Sequence, residues 1–157
     1  MGMLLNIQNA MAARIASDPW MSGLDVATQS DGDLDAFIAA KLSKLGIAVT
    51  VGLGKAGAPM PNVSTPYFEE VLFVVEVQEF VMMNNGSRGT KKPAVDVCER
   101  IAVRLHGFEY DEGKTLYCVD PGIIPAIPAR PATSAYAVAF ETSDGVDIAP
   151  QTEGHTS

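Results

Sequence analysis

The stretch from residue 67 to residue 82 reads YFEEVLFVVEVQEFVM and has the alternation of a β-strand. The apolar positions of its inner face are Val71, Phe73, Val75 and Val77. Leu72 and Val74 make the first half apolar on both sides, whereas Glu76 and Gln78 make the outer face of the second half polar. The pattern predicts a long strand whose outer face is covered at its start and meets water towards its end.

Two amphipathic helices are predicted before this strand. Residues 3–17 carry apolar side chains at a spacing near that of an α-helix and end at an Asp-Pro pair. The second helix begins after Asp31 and Asp33, which supply N-cap chemistry and negative charge at its amino end, and it ends at Gly46. Residues 47–51 then predict a strand entered directly from this helix, and residues 52–66, rich in glycine and proline, predict a loop.

A third helix and two strands are predicted after it. Pro93 suits the first turn of an amphipathic helix that ends at Gly107. Residues 116–119 predict a short strand. The next segment, 121–131, holds four prolines, which restrict it to an extended loop or an edge segment. Residues 135–141 alternate between large and small apolar side chains and predict the last strand.

The predicted element order is therefore ααββαββ. It predicts an α+β fold in which a mixed sheet of about four strands carries helices packed mainly on one face. We expect residues 1–142 to form a single domain, with the helix at 3–17 as an N-terminal addition. After residue 142 the chain becomes polar and acidic without periodicity, so residues 143–157 predict a flexible C-terminal tail.

The composition describes an ordinary globular chain of 157 residues with 47% apolar and 19% charged residues. The formal net charge of −8 argues against wrapping nucleic acid, because affinity for phosphates comes mainly from Lys and Arg. Cys98 and Cys118 lie in predicted helix and strand, which indicates packing in a reducing compartment. We expect no signal peptide and no membrane span, and hence a cytoplasmic product.

A glycine-rich segment resembles a nucleotide-binding fingerprint. Residues 52–57 read GLGKAG and follow a predicted strand. The fingerprint requires a helix whose amino terminus meets the pyrophosphate, and Pro59 and Pro61 follow too closely for such a helix. The segment also lacks the Gly-Lys-Ser/Thr ending of a P-loop. We therefore expect a flexible loop and no cofactor.

The chain has only two histidines, His106 and His155. Neither lies at ligand spacing from a cysteine, a carboxylate or the other histidine, so no metal site is expected. The sequence leaves open a nucleophile–base pair of Ser87 or Cys98 with His106. Because Cys98 belongs to the inward stripe of its helix, packing is the favoured role for this thiol. We therefore expect no catalytic residue and a protein that is not an enzyme.

Two clusters of opposite charge lie on either side of residue 84. Four glutamates at positions 69, 70, 76 and 79 crowd the long strand, and three basic residues follow in a polar loop. Paired carboxylates suit acid–base chemistry, but a solvated face or a subunit interface is favoured. The loop is either an exposed turn or an arm that contacts the acidic strand of a neighbouring copy. The candidate subunit-contact residues are Glu76, Gln78, Glu79, Asn84, Asn85, Arg88, Lys91 and Lys92.

Several segments together form a recurring pattern of elements. They are the apolar strand 70–77 (EVLFVVEV), the turn 84–86 (NNG), the helix that ends in LHG at 105–107, and the last strand 135–140 (AYAVAF). This pattern, with the helix end KLGI at 44–47, resembles the tail terminator (tail completion) proteins of long-tailed bacteriophages over about residues 33–142. The N-terminal helix and the proline-rich segment depart from the simplest members of that family.

The resemblance implies a homohexameric ring that caps the tail tube, stops its elongation and offers a head–tail joining surface. The implied partners are other copies of the chain, the tail tube protein and a head–tail connector or neck protein, with DNA passing through the lumen without specific binding. The implied location is the host cytoplasm during assembly and then the virion tail. Two alternatives stay open, namely another neck, minor tail or tube protein of related fold, and a small cytoplasmic enzyme or ligand-binding domain.

Overall fold

The computed structural model describes residues 2–60 and 65–148. Its helices are α1 (Met3–Ala16), α2 (Leu34–Lys44), α3 (Val81–Asn84) and α4 (Ala94–Leu105). Its strands are β1 (Val26–Thr28), β2 (Ile47–Ala56), β3 (Tyr67–Phe68), β4 (Val71–Glu79), β5 (Glu109–Asp111), β6 (Lys114–Pro125), β7 (Ser134–Thr142) and β8 (Val146–Asp147). None of the helices in these ranges has the length and apolar character needed to cross a membrane.

Six strands form one mixed sheet in the order β1-β2-β4-β7-β6-β5. The β1–β2 pair is parallel, and the other pairs of this sheet are antiparallel. Strands β3 and β8 pair separately in a second, two-stranded sheet. The α+β class is thus confirmed, but the main sheet is wider than the predicted four strands. The short strands β1 and β5, which lack a clear alternating pattern in the sequence, extend its two edges.

The main core lies between one face of the sheet and the helices α1 and α4. Every second residue of β4 is buried on this face, from Val71 to Val77, as the alternation predicted. Helix residues that complete the core are Ile7, Met11, Ile15, Val97, Cys98, Ile101 and Leu105. Because a shift of one residue would turn every buried side chain of β4 to the other face, this burial also determines the strand register.

Helix α2 packs against the opposite face of the sheet. Its residues Ile38 and Leu42 form a second, smaller cluster with Ala48 of β2. The neighbouring Val49 belongs to the main core, so Ala48 points to the other side of the strand. The prediction that the helices lie mainly on one face is confirmed for α1 and α4 and wrong for α2. The apolar face of α2 needs a partner, and the small residues on the outer face of β2 provide it.

Strand β2 continues through the glycine-rich segment that the sequence predicted as a loop. A β-bulge interrupts its pairing with β4 between Leu53 and Lys55. A Cβ atom on Gly54 would lie 2.7 Å from Cγ2 of Val74, so glycine permits the close approach of the two strands. The GLGKAG segment therefore lies in strand geometry rather than at a helix amino terminus. Residues 61–64 of the predicted loop lie outside the described residues.

The predicted strand over residues 67–82 is divided into three elements. Strand β3 leaves the main sheet to pair with β8, strand β4 follows, and α3 begins at Val81. Val146 of β8 is buried, so the folded part of the chain extends at least to residue 148 instead of ending at 142. The rest of the predicted tail, residues 149–157, lies outside the described residues.

The proline-rich segment is partly a strand at an edge of the sheet. Strand β6 runs to Pro125, and its residues 123–125 pair with β7 after an irregularity in register. Strand β5 pairs only with the start of β6, at Lys114 and Thr115. No described strand pairs with the other side of residues 123–125, so the edge-segment alternative is correct for this part. Proline is tolerated there because an edge position needs no N–H donor on its open side.

An ion pair fastens the N-terminal helix to α4. Asp18, which is 3% exposed, accepts hydrogen bonds from Nε and Nη2 of Arg100 at 2.6 and 3.0 Å. These bonds from Arg100 lower the pKa of Asp18 to about 2, against the opposing effect of burial. Arg14 and Arg104 add reciprocal hydrogen bonds to each other's carbonyl oxygens at 3.4 and 3.3 Å. Helix α1, which was predicted to be an N-terminal addition, is thus an integral part of the core.

Gly46 and Gly107 offer a matched test of backbone packing. Both follow a helix with positive φ, at 81° and 78°, which favours glycine. A Cβ on Gly46 would lie 2.1 Å from the backbone nitrogen of Asn84, whereas Gly107 has open space. We predict that Gly107→Ala costs about 1–2 kcal/mol of unfolding free energy and that Gly46→Ala costs more. Urea unfolding measures both variants, and equal losses would contradict the close approach.

Asp18→Asn should change the pH dependence of stability. A folded-state pKa of about 2, below the ordinary 3.8, means that the carboxylate stabilises the fold above about pH 4 and that this contribution is lost as pH falls towards 2. The variant should be less stable than wild type at neutral pH, and its stability should fall less over that acid range. Urea unfolding as a function of pH measures this. Replacing the exposed Asp120 by Asn is the control and should leave stability unchanged.

Candidate subunit-contact surfaces

The structure divides the predicted contact residues into buried and accessible sets. The buried members are Gln78, Glu79 and Asn84, with exposed fractions of 3%, 7% and 0%. The exposed members are Asn85, Arg88 and Lys91, and the half-buried ones are Glu76 and Lys92. Side chains of the buried members cannot reach another copy while this fold is intact. The structure therefore removes these three from the set and leaves the other five as predicted contact residues.

Asn84 is the centre of a hydrogen-bond network that we call the Asn84 network, formed with Glu79, Thr90, Lys92 and Ala94. Its Nδ2 donates to Oε2 of Glu79 and to the carbonyl oxygen of Lys92, both at 2.8 Å. Its Oδ1 accepts from the N–H and the hydroxyl of Thr90, at 3.2 and 2.6 Å. Both donors and both acceptor positions of the amide are therefore used. The network closes the connection between α3 and α4 into a compact loop rather than a projecting arm.

Glu79 joins this loop to the amino end of α4. Its Oε1 accepts a hydrogen bond from the N–H of Ala94 at 2.9 Å, the first residue of the helix. Pro93 precedes that helix and provides no side-chain cap. A carboxylate at this end also interacts favourably with the helix dipole. Glu79 therefore acts as the cap that the local sequence lacks, although it lies fifteen residues earlier in the chain.

The exposed side of this loop combines basic and apolar side chains. We define the basic loop surface as Val81, Met82, Asn85, Arg88, Lys91 and Val95. Met82 is 80% exposed, and Val81 and Val95 are about half as exposed, at 44% and 45%. Within the described residues, Arg88 and Lys91 form no ion pair. Lys92 differs from them, because its Nζ lies 5.6 Å from the centre of the Trp20 ring of the same chain.

A second accessible surface lies on the outer face of the sheet. We define the acidic sheet surface as Leu72, Val74, Glu76, Tyr117, Ile124, Ala137, Ala139 and Glu141. These residues occupy neighbouring positions on β4, β7 and β6, since Ala137 pairs with both Glu76 and Ile124. Tyr117 and Ile124 are 42% and 43% exposed, so the described helices leave this part of the face uncovered. Neither glutamate forms an ion pair within the described residues.

The outer face of β4 is not covered in the way that the sequence predicted. The sequence predicted cover over Leu72 and Val74 and water at Gln78, but Leu72 and Val74 are only half-buried, whereas Gln78 is buried. The Oε1 of Gln78 accepts a hydrogen bond from the N–H of Ala129, in the segment after β6. A polar side chain can be covered when a distant segment supplies its hydrogen-bond partner, and no local pattern reveals such a segment.

The residues left open as a catalytic pair have other contacts. His106 ends α4, and its Nδ1 accepts a hydrogen bond from the N–H of Cys118 at 3.0 Å. Cys98 is buried in the main core, and burial raises the pKa of its thiol to about 12. A thiol with this pKa is protonated at neutral pH and is a weak nucleophile. In the part of the chain that the structure describes, no cluster of three or more His, Cys, Asp or Glu residues could hold a metal ion.

An open groove of about 640 Å³ lies beside α4. Its lining residues are Asp18, Trp20, Asp96, Glu99, Arg100, Val103 and Arg104. Asp18 and Arg100 are paired with each other, and Nη2 of Arg104 donates a hydrogen bond to the hydroxyl of Ser17 at 2.8 Å. These groups stabilise the contact between α1 and α4, which accounts for the polar lining of the groove.

The comparisons with known proteins give a similarity at the level of the fold. No family model matches the sequence, and no curated protein matches it either. Among solved structures, the fold is similar to a chain from a structure described as the virion of a native gene transfer agent particle, with a TM-score of 0.53 and 14% identity. The similarity covers 89% of this chain and 93% of that chain. The two chains therefore share a fold over nearly their whole lengths.

The substitution Asn84→Ala should be strongly destabilising, whereas the same substitution at the next residue, Asn85, should not. The change removes the donor to Oε2 of Glu79 and to the carbonyl oxygen of Lys92, and leaving these buried acceptors without that donor costs about 1–3 kcal/mol of unfolding free energy. Asn85→Ala is the matched control, because Asn85 is exposed and should change stability by about 0.5 kcal/mol or less. Urea unfolding compares the two variants. Similar stabilities would contradict the central role of Asn84.

Proposed function

We propose that this chain is a structural protein of a phage-like virion, and specifically a tail terminator that forms a ring at the end of the tail tube. The observation that carries the proposal is the fold shared with a chain from a gene transfer agent virion, which covers 89% and 93% of the two chains. The recurring pattern of strand, turn, helix and last strand in the sequence supports the more specific role. In that role the ring stops tube elongation and provides the head–tail joining surface.

The accessible surfaces support a protein that works by contact. The fold leaves two surfaces that combine apolar and charged side chains, one basic and one acidic. Uncovered apolar patches on a folded chain are typical of protein–protein interaction sites. A ring assembled from head-to-tail contacts would cover both surfaces on every copy. The partners proposed here are other copies of the chain, the tail tube protein and a head–tail connector or neck protein.

We propose a role without bond-making chemistry. Of the three residues that the sequence left open for catalysis, Cys98 packs in the main core and His106 accepts a backbone hydrogen bond, whereas Ser87 is exposed. The net charge of −8 suits a ring through which DNA passes, because an acidic lumen repels phosphates and lets the duplex slide. Assembly in the host cytoplasm, followed by residence in the virion tail, is the location that this role requires.

The test uses the purified chain and the tail tube protein encoded with it. Size-exclusion chromatography with light scattering and negative-stain images should show a closed ring. When the chain is added to polymerising tube protein, tubes should become shorter and carry the ring at one end. A ring that joins tails without limiting tube length would favour another neck or minor tail component. A stable monomer that leaves tube length unchanged would contradict the proposal.

A further inference from the structure

We propose that the basic loop surface of one copy docks on the acidic sheet surface of the next copy, and that this contact closes the ring. The inference rests on the proposed function and goes beyond it by naming the two faces of the subunit interface. It commits to a second copy of the chain as the occupant of the uncovered sheet face. The argument comes from the composition, the placement and the rigidity of the two surfaces.

The two surfaces are complementary in both apolar character and charge. Met82, Val81 and Val95 accompany Arg88 and Lys91 on one of them. On the other, Tyr117, Ile124, Leu72 and Val74 accompany Glu76 and Glu141. All four charged side chains lack an ion-pair partner among the described residues. Contact between the surfaces would bury apolar area and pair opposite charges, the combination that fixes the register of an interface.

One copy cannot bring its own two surfaces together. The basic loop follows the carboxyl end of β4 at Glu79, whereas Glu141 pairs with Leu72 near the start of that strand. Seven residues of strand separate these two levels, which is roughly 23 Å at about 3.3 Å per residue. Gln78 and the segment at Ala129 cover the face between the loop and Glu76. The complementary charges are therefore available to pair between copies, in a heterologous contact of the kind that builds a closed ring.

The basic loop is held in one conformation before it meets a partner. The Asn84 network joins Thr90, Lys92 and Ala94 to the end of β4, on both sides of Lys91. Gly89 packs so closely that a Cβ on it would lie 2.0 Å from the carbonyl oxygen of Asn84. Docking of a preorganised loop avoids the entropy cost of ordering a flexible one. The network thus positions Arg88 and Lys91 for the contact without touching the partner.

Charge reversal in trans gives a direct test. The basic-reversed variant carries Arg88→Glu and Lys91→Glu, and the acid-reversed variant carries Glu76→Lys and Glu141→Lys. Each variant alone places like charges across the interface, so the protein concentration for half-assembly should rise by about tenfold or more. An equal mixture of the two variants should recover the assembly, because a ring in which they alternate joins either two unchanged or two reversed surfaces at every contact, and both combinations pair opposite charges. A single chain that carries all four changes should also assemble.

Controls separate this inference from the proposed function and from misfolding. Lys44→Glu and Glu112→Lys reverse exposed charges outside both surfaces and should assemble like wild type. The single variants Lys91→Glu and Glu141→Lys change only exposed side chains, so circular dichroism should show a wild-type fold for them, with weakened assembly. Reversed variants that form rings at wild-type concentrations would overturn the inference and leave the proposed function standing. A wild-type chain that stays monomeric would overturn both.

Discussion

The burial of every second residue of β4 is the constraint on which the rest of the structure depends. Val71, Phe73, Val75 and Val77 fill the core, and the same alternation directs Glu79 inwards at the end of the strand. A carboxylate at a buried position needs hydrogen-bond donors, and it obtains them from Asn84 and from the first N–H of α4. The period of one strand therefore leads to the placement of a helix and to the closed loop between α3 and α4.

The same sheet explains why the molecule has surface available for assembly. Helices α1 and α4 cover most of one face, whereas α2 covers only the edge of the other face near Ala48. Leu72 and Val74 are only half-buried there, beside the exposed Tyr117 and Ile124. A chain that buried these residues within itself would have no apolar patch on this face of the sheet to offer a partner. The incomplete cover of the sheet and the proposed structural role are therefore consistent with each other.

Local signals predicted the central elements well. The N-cap at Asp33 and the positive φ of Gly46 bound α2 as expected, and Pro93 immediately precedes α4. The inward direction of Glu79 could be predicted from the sequence, because Glu79 lies two residues after Val77 and therefore on the same face of β4. The segment GLGKAG was misread as a loop because glycine content signals flexibility, whereas Gly54 serves the close approach of Val74 across the sheet.

The sequence by itself determined most core residues of α1, α2, α4 and β4, because hydrophobic periodicity is a local property of each strand and helix. It also determined the ends of α2 and α4, since caps and glycines act within a few residues. Only the tertiary structure decided which polar residues are buried, because Gln78 depends on Ala129 and Asp18 depends on Arg100, far apart in the chain. The same long-range packing decided which apolar residues stay uncovered, and hence where the contact surfaces lie.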